Sequence, residues 1–181
     1  MSDPFSNTSP IRSLPRRLSN RLLHLLARFL PGATSLRPFL HRLRGVQVAK
    51  GVFIGDEVYL DNDYPEAITL REGALIGLRS TIVAHTRGAG RVVIGKNVVL
   101  GSGTLIACPG GKTLEIGEGS VIGAGSVVAN SIPPFTFCGC PRARALAKIT
   151  VPFTFDVSYQ DFLRGLRPLR QPSTPSPDPE G

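Results

Sequence analysis

The feature that most constrains this chain is a six-residue period that runs from Val48 to Val128. Steps of six from Val48 reach Ile54 and Leu60. After four extra residues the same step gives Leu70, Ile76 and Ile82; after six, Ile94, Leu100 and Ile106; after four, Ile116, Ile122 and Val128. All twelve positions are Val, Ile or Leu, and the next residue is Gly or Ala at nine of them, the exceptions being Asp61, Arg71 and Val83. A strand repeats every two residues, so a residue six positions on returns to the same side of the chain. One aliphatic per hexad therefore points inward, and the small residue after it lets the backbone turn tightly. Three hexads make one triangular coil, and stacked coils bury an aliphatic column that a single coil cannot bury alone. The expected fold is all-β, a parallel β-helix of about four coils over residues 46–150. Every insertion follows a third hexad, so all leave from one corner of the prism, where a repeat protein builds its site.

The flanks carry other patterns. Residues 14–30 predict a basic amphipathic helix, with Leu18, Leu22, Leu25, Leu26 and Phe29 on one face. Ser13 suits its N-cap, Pro15 its first turn, and Pro31-Gly32 ends it. A second short helix is expected over 35–44. This helical region, 14–45, either packs over one end of the β-helix or lies on a membrane surface through Arg16, Arg17, Arg21 and Arg28. Residues 1–13 and the Pro- and Ser-rich 171–181 are expected to be disordered. Between them and the coils, 151–170 forms a C-terminal extension with a last helix around Phe162 and Leu163. The longest apolar stretch, Leu22 to Leu30, contains His24 and Arg28 and is too short to span a bilayer. It also lacks the core and cleavage site of a signal peptide. Three cysteines, Cys108, Cys138 and Cys140, do not form a disulfide framework and point to a reducing, cytoplasmic setting. The net charge of +8 favours an anionic partner without choosing among nucleic acid, lipid and a phosphorylated cofactor.

Two segments besides the repeat carry a resemblance. Asp61–Gly88 ends a third hexad in Ile-x-x-His, and Ile116–Arg144 runs from an IGAGS coil into Ile-Pro-Pro and a Gly-x-Pro-rich ending. Over about 46–150 the chain resembles the hexapeptide-repeat acyltransferases, the group of maltose, galactoside and xenobiotic acetyltransferases. The resemblance implies a left-handed coil, a homotrimer with sites between neighbouring prisms, acetyl-CoA as acyl donor and no metal. It also implies a saccharide or small-molecule acceptor and no nucleic-acid partner. His85 matches the family's catalytic histidine. Ser102 and Ala124 match contacts to the pantetheine arm of the coenzyme. Asn130 stands where many relatives carry Lys. The family's Arg after Pro-Ala is Ala143 here, so the coenzyme phosphates fall to Arg142 or Arg144.

Acyl transfer from a thioester to a hydroxyl needs a base for the hydroxyl proton and donors for the developing oxyanion. Histidine suits the base, and of three histidines only His85 lies within the coils, beside the longest insertion. His24 and His41 read as surface or packing residues. Asp63 holds the hexad position of His85 one coil earlier, about 4.8 Å away at one strand spacing, and could orient it. The family's use of an Asn or Asp from an earlier coil makes Asn62 a rival. Pro109–Thr113 resembles the end of a P-loop but has Ile106 where that motif needs Gly. Cys138 and Cys140 lack a second ligand pair for zinc. The leading reading is an O-acyltransferase with His85 as general base. A non-catalytic β-helix scaffold and an N-acyltransferase are the alternatives.

Overall fold

A computed structural model describes residues 14–86, 88, 90–140, 147–152 and 154–169. The segments 1–13 and 171–181, with the N-cap expected at Ser13, lie outside the described residues. The chain divides into two compact units, Met1–Cys140 and Pro141–Gly181.

The first unit contains the repeat as three parallel sheets, one per face of a prism. The first face stacks Gln47–Val48, Ile68–Leu70, Arg91–Ile94 and Thr113–Ile116. The second stacks Phe53–Ile54, Leu75–Ile76, Val99–Leu100, Val121–Ile122 and Phe137–Cys138. The third stacks Tyr59–Leu60, Thr81–Thr86, Leu105–Pro109 and Val127–Val128. The pairing register joins Val48 to Leu70, Leu70 to Ile94, Ile54 to Ile76 and Leu60 to Ile82, so the hexad positions stack as the periodicity requires. Ile54, Leu60, Ile76, Ile82, Ile94, Ile106, Ile116 and Ile122 are completely buried in the column.

The small residue after each aliphatic serves a different purpose from the tight turn expected of it. A Cβ on Gly77 would lie 2.6 Å from the Leu100 carbonyl oxygen, and one on Gly101 would lie 2.4 Å from the Ala124 nitrogen. The missing side chain admits the next coil. The tight turn comes two residues later, at the fourth hexad position, where Gly103, Arg79 and Asn97 take left-handed backbone with φ of 69°, 56° and 53°. It recurs in first and second hexads only. The fourth residues of the third hexads, Asp63, His85, Pro109 and Ser131, have no positive φ. The third corner is thus free of the regular turn, and the insertions leave from it.

Two helices, α1 (Leu14–Phe29) and α2 (Leu36–Arg44), cover the first coil. Gly45 ends α2 in left-handed backbone at φ 105°. An uncovered first coil would leave strand donors and acceptors unpaired. Here Ile54 N–H donates to the Ala33 carbonyl at 2.8 Å and Glu57 N–H to the Arg28 carbonyl at 3.0 Å. Arg37 Nη1 donates to the Ile54 carbonyl at 3.1 Å. In the second unit, Ala147–Ile149 pairs antiparallel with Leu166–Pro168, apart from the three parallel sheets. Between them lies α3 (Tyr159–Arg164), which contains Phe162 and Leu163 and is capped by Ser158 accepting from Asp161 N–H at 3.2 Å.

The face that α1 turns toward the coil is Asn20, His24 and Ala27. His24 and His41 are packing residues and both are buried. Burial, and then the neighbouring Arg44, push each imidazole down to about 3. Arg28 adds to this at His24, and His24 adds to it at His41. Both rings are therefore neutral at physiological pH. His24 lies edge-on to Tyr59 at 4.9 Å between centroids, and neither of its ring nitrogens has a hydrogen-bond partner among the described residues.

Two outcomes test this account. Gly101→Ala should destabilise the chain by about 1–3 kcal/mol in urea unfolding, because the new methyl overlaps the next coil. Between about pH 3 and the unfolded value of about 6.5, the unfolded chain binds protons that the two folded histidines refuse. Their contribution to stability is complete above about pH 6.5 and is lost as pH falls toward 3. Thermal midpoints should drop from pH 7 to pH 5, and His24→Leu should make that drop shallower. An equal slope in both proteins would contradict the burial of a neutral His24.

Candidate active site

The third corner brings together Asp61, Asp63, Tyr64 and His85. Asp61 occupies a hexad position that holds Gly or Ala in nine of the twelve hexads, and its side chain is completely buried. Taking a carboxylate out of water is costly unless its oxygens are hydrogen-bonded, and here every approach is supplied with a donor. Oδ1 accepts from Asp63 N–H at 2.9 Å and from Tyr64 N–H at 3.2 Å, closing the loop in an Asx turn. Oδ2 accepts from Ala84 N–H at 2.9 Å and also bonds Nδ1 of His85. His85 itself is one-third exposed, and the Tyr64 ring lies 5.2 Å from it, centroid to centroid.

This geometry sets the imidazole's chemistry. An ionised carboxylate can only accept, so Nδ1 carries the hydrogen and Nε2 of the neutral ring holds the lone pair. Nε2 points away from the buried carboxylate, 3.9 Å from Asp63 Oδ2. An imidazole held this way can take a proton at Nε2 while Asp61 stabilises the cation that forms.

A second buried polar group holds the loop from behind. Nη2 of Arg44 donates to the Leu60 carbonyl at 3.1 Å, the Asp61 carbonyl at 2.9 Å and Asn62 Oδ1 at 2.7 Å. Its Nη1 donates to His41 Nδ1 at 2.9 Å, and its Nε donates to Asn20 Oδ1 at 3.0 Å. Burial lowers the Arg44 guanidinium to about 10, against the raising effects of Tyr59 and Asp61, so it remains charged. Asn20 Nδ2 completes the lattice by donating to the Asn62 carbonyl. The N-terminal helices thus fix the backbone that carries Asp61.

The expected site residues are distributed as follows. The group bonded to Nδ1 of His85 is Asp61, not Asp63; Asp63 is exposed and lies on the Nε2 side. The Asn62 side chain turns to Arg44. Asp61 had a sequence signal, since it is one of three exceptions to the small-residue rule and the only acidic one. Ser102 and Ala124 are exposed on the edge that closes the second face, whereas His85 lies on the edge that closes the third. Asn130 is exposed on the edge of His85, two coils on, about 10 Å away at two strand spacings. Arg142 and Arg144 lie outside the described residues. Asp61, Asp63 and His85 place three metal-type donor atoms within 4.8 Å of one another. Both Asp61 oxygens already accept hydrogen bonds, so a cation would have to displace them, and the set does not fit a resident metal.

No family model matches the chain. YvoF of Bacillus subtilis (strain 168), provisionally assigned as an acetyltransferase, is 33% identical over 129 residues, covering 67% of this chain and 72% of YvoF. A serine acetyltransferase of Buchnera aphidicola subsp. Schizaphis graminum (strain Sg) is 33% identical over 102 residues, 56% of this chain but only 34% of that protein. Among solved structures, a galactoside acetyltransferase in complex with coenzyme A superposes with a TM-score of 0.51 at 22% identity. The superposition covers 70% of this chain and 76% of that one, a likeness of fold. With its four-coil repeat and its similarity across most of YvoF, the chain belongs to the hexapeptide-repeat, left-handed β-helix acetyltransferase family.

Proposed function

We propose that the chain is an acetyl-CoA-dependent O-acyltransferase that acetylates a hydroxyl of a saccharide or small natural product, with His85 as general base. The observation that carries this is the buried Asp61 carboxylate on Nδ1, which leaves Nε2 of His85 as a free base at the third corner. The acceptor hydroxyl oxygen attacks the thioester carbonyl carbon as Nε2 takes its proton. The tetrahedral adduct then expels the CoA sulfur by breaking the C–S bond, and the imidazolium returns the proton to the thiolate. Asp61 holds the ring in one tautomer and offsets its charge during the step. Asp63, on the Nε2 side, is a candidate to bind or orient the acceptor.

The proposal includes a homotrimer with the site between prisms. Ser102 and Ala124, the residues that match coenzyme contacts, share no edge with His85, so one chain does not bring both sets together. A neighbouring prism would. The outer side of the second face supports such packing. Its strands align Phe53, Leu75, Val99, Val121 and Phe137 in one outward row, and Phe53, Leu75, Val121 and Phe137 are exposed. A row of large apolar residues on a sheet exterior is what a closed symmetric interface buries. Asn130, on the His85 edge, is proposed for the coenzyme phosphates, together with Arg142 and Arg144, which the family resemblance points to and which lie outside the described residues. The proposed setting is the cytoplasm, where acetyl-CoA is supplied and the three cysteines stay reduced.

The test follows free-thiol release from acetyl-CoA in the presence of sugar, natural-product and amine acceptors. His85→Ala should lower kcat by about 10²–10⁴-fold. Asp61→Asn should lower it by up to about 10⁴-fold with KM for acetyl-CoA little changed, because an amide favours the wrong tautomer. Unchanged turnover in either variant would overturn the assignment of the base, and release with amines alone would make the enzyme an N-acyltransferase. Phe137→Asp should shift the sedimentation of the native protein from trimer toward monomer and abolish turnover with it.

A further inference from the structure

Helix α1 is mounted with its polar side inward. At 100° per residue, its buried positions Asn20, His24 and Ala27 cluster on one side. Leu14, Leu18, Leu22, Leu25, Leu26 and Phe29 occupy an arc on the opposite side and are 38–73% exposed. A surface helix of a globular domain ordinarily turns its apolar arc to the core. This one spends its inward side on hydrogen bonds to the catalytic loop, through Asn20 to Asn62 and Arg44, and leaves the apolar arc outside. Arg17, Arg21 and Arg28 run along one border of the arc, and α1 contains no acidic residue.

We infer that α1 is an interfacial helix that seats the protein on an anionic lipid surface. The pattern fits one occupant. A wide aliphatic arc bordered by arginines sinks its apolar side chains into the headgroup boundary while the guanidinium groups reach lipid phosphates. Packing the same arc on a second copy of the chain would bring two arginine borders together with no acidic residue on either helix to meet them. The helix lies on the surface and does not cross it, for no described helix is long and apolar enough to span a membrane. Because Asn20 holds Asn62 from the inner side of the same helix, docking would set the loop of Asp61 about one helix diameter, roughly 10 Å, from the lipid. The inference concerns binding and stands whether or not the acceptor is a saccharide.

The test is sedimentation of the full chain with vesicles of phosphatidylcholine alone and with vesicles that also contain phosphatidylglycerol. The protein should pellet with the anionic vesicles, less so at high salt, and stay in solution with the neutral ones. Leu18→Ser/Leu22→Ser/Leu25→Ser should weaken binding at least about tenfold with circular dichroism and native size unchanged. Arg17→Gln/Arg21→Gln, which leaves the helix and its apolar arc intact, should reduce the preference for anionic vesicles. The inference is overturned if the unaltered protein ignores both vesicles, if the leucine variant binds as before, or if that variant changes native size, which would make the arc a contact between copies.

Discussion

The spacing of one parallel strand on the next, about 4.8 Å, governs nearly everything else in this chain. Backbone hydrogen bonds between coils impose it, and every side chain near a corner must accommodate it. It demands a residue without a Cβ at Gly77 and Gly101, where the next coil passes within contact distance. It also brings residues 22 or 24 positions apart in sequence, such as Leu60 and Ile82, into register as neighbours. The core and the cluster at the third corner are two consequences of one stacking rule.

Asp61 shows how the third corner gains a charge by departing from the common pattern. At a position that is small in most hexads, it places a carboxylate under the third corner. The same corner lacks the left-handed turn of the other two, so the amides of Asp63, Tyr64 and Ala84 converge on its oxygens. Four hydrogen bonds make a buried charge tolerable and leave it a single orientation. His85 inherits that orientation through Nδ1. Arg44, charged and buried behind the loop, ties the same backbone to both N-terminal helices. The helical cap is therefore part of the support of the site as well as a cover for the first coil.

Much of this was legible in the order of residues. The six-residue period of Val, Ile and Leu translates directly into inward-facing positions, because strand periodicity is local and exact repetition leaves one way to bury the column. The three insertions pointed to the third corner, and the scarcity of histidine pointed to His85 as the candidate base. The partner of His85 was harder to read. Counting hexad positions pairs His85 with Asp63, but the ladder between these coils registers only Tyr59 with Thr81 and Leu60 with Ile82, and Asp63 N–H turns back to Asp61. The side chain of Asp61, two residues earlier, reaches further than the count suggests because it turns inward and under the corner. The orientation of α1 was equally hidden. Its amphipathic pattern is plain in the sequence, yet the pattern alone would have turned the leucines toward the coils.

By itself, then, the sequence determined the repeat, the number of coils and the buried column, because each depends on local periodicity and on which residues cannot face water. Only the tertiary structure decided which carboxylate holds His85, which buried guanidinium holds that carboxylate's loop, and which side of α1 faces out. Those outcomes rest on hydrogen-bond geometry between residues far apart in the chain. Asp61 meets His85, and Asn20 meets Asn62 and Arg44, only after the coils have stacked and the helices have closed over the first of them.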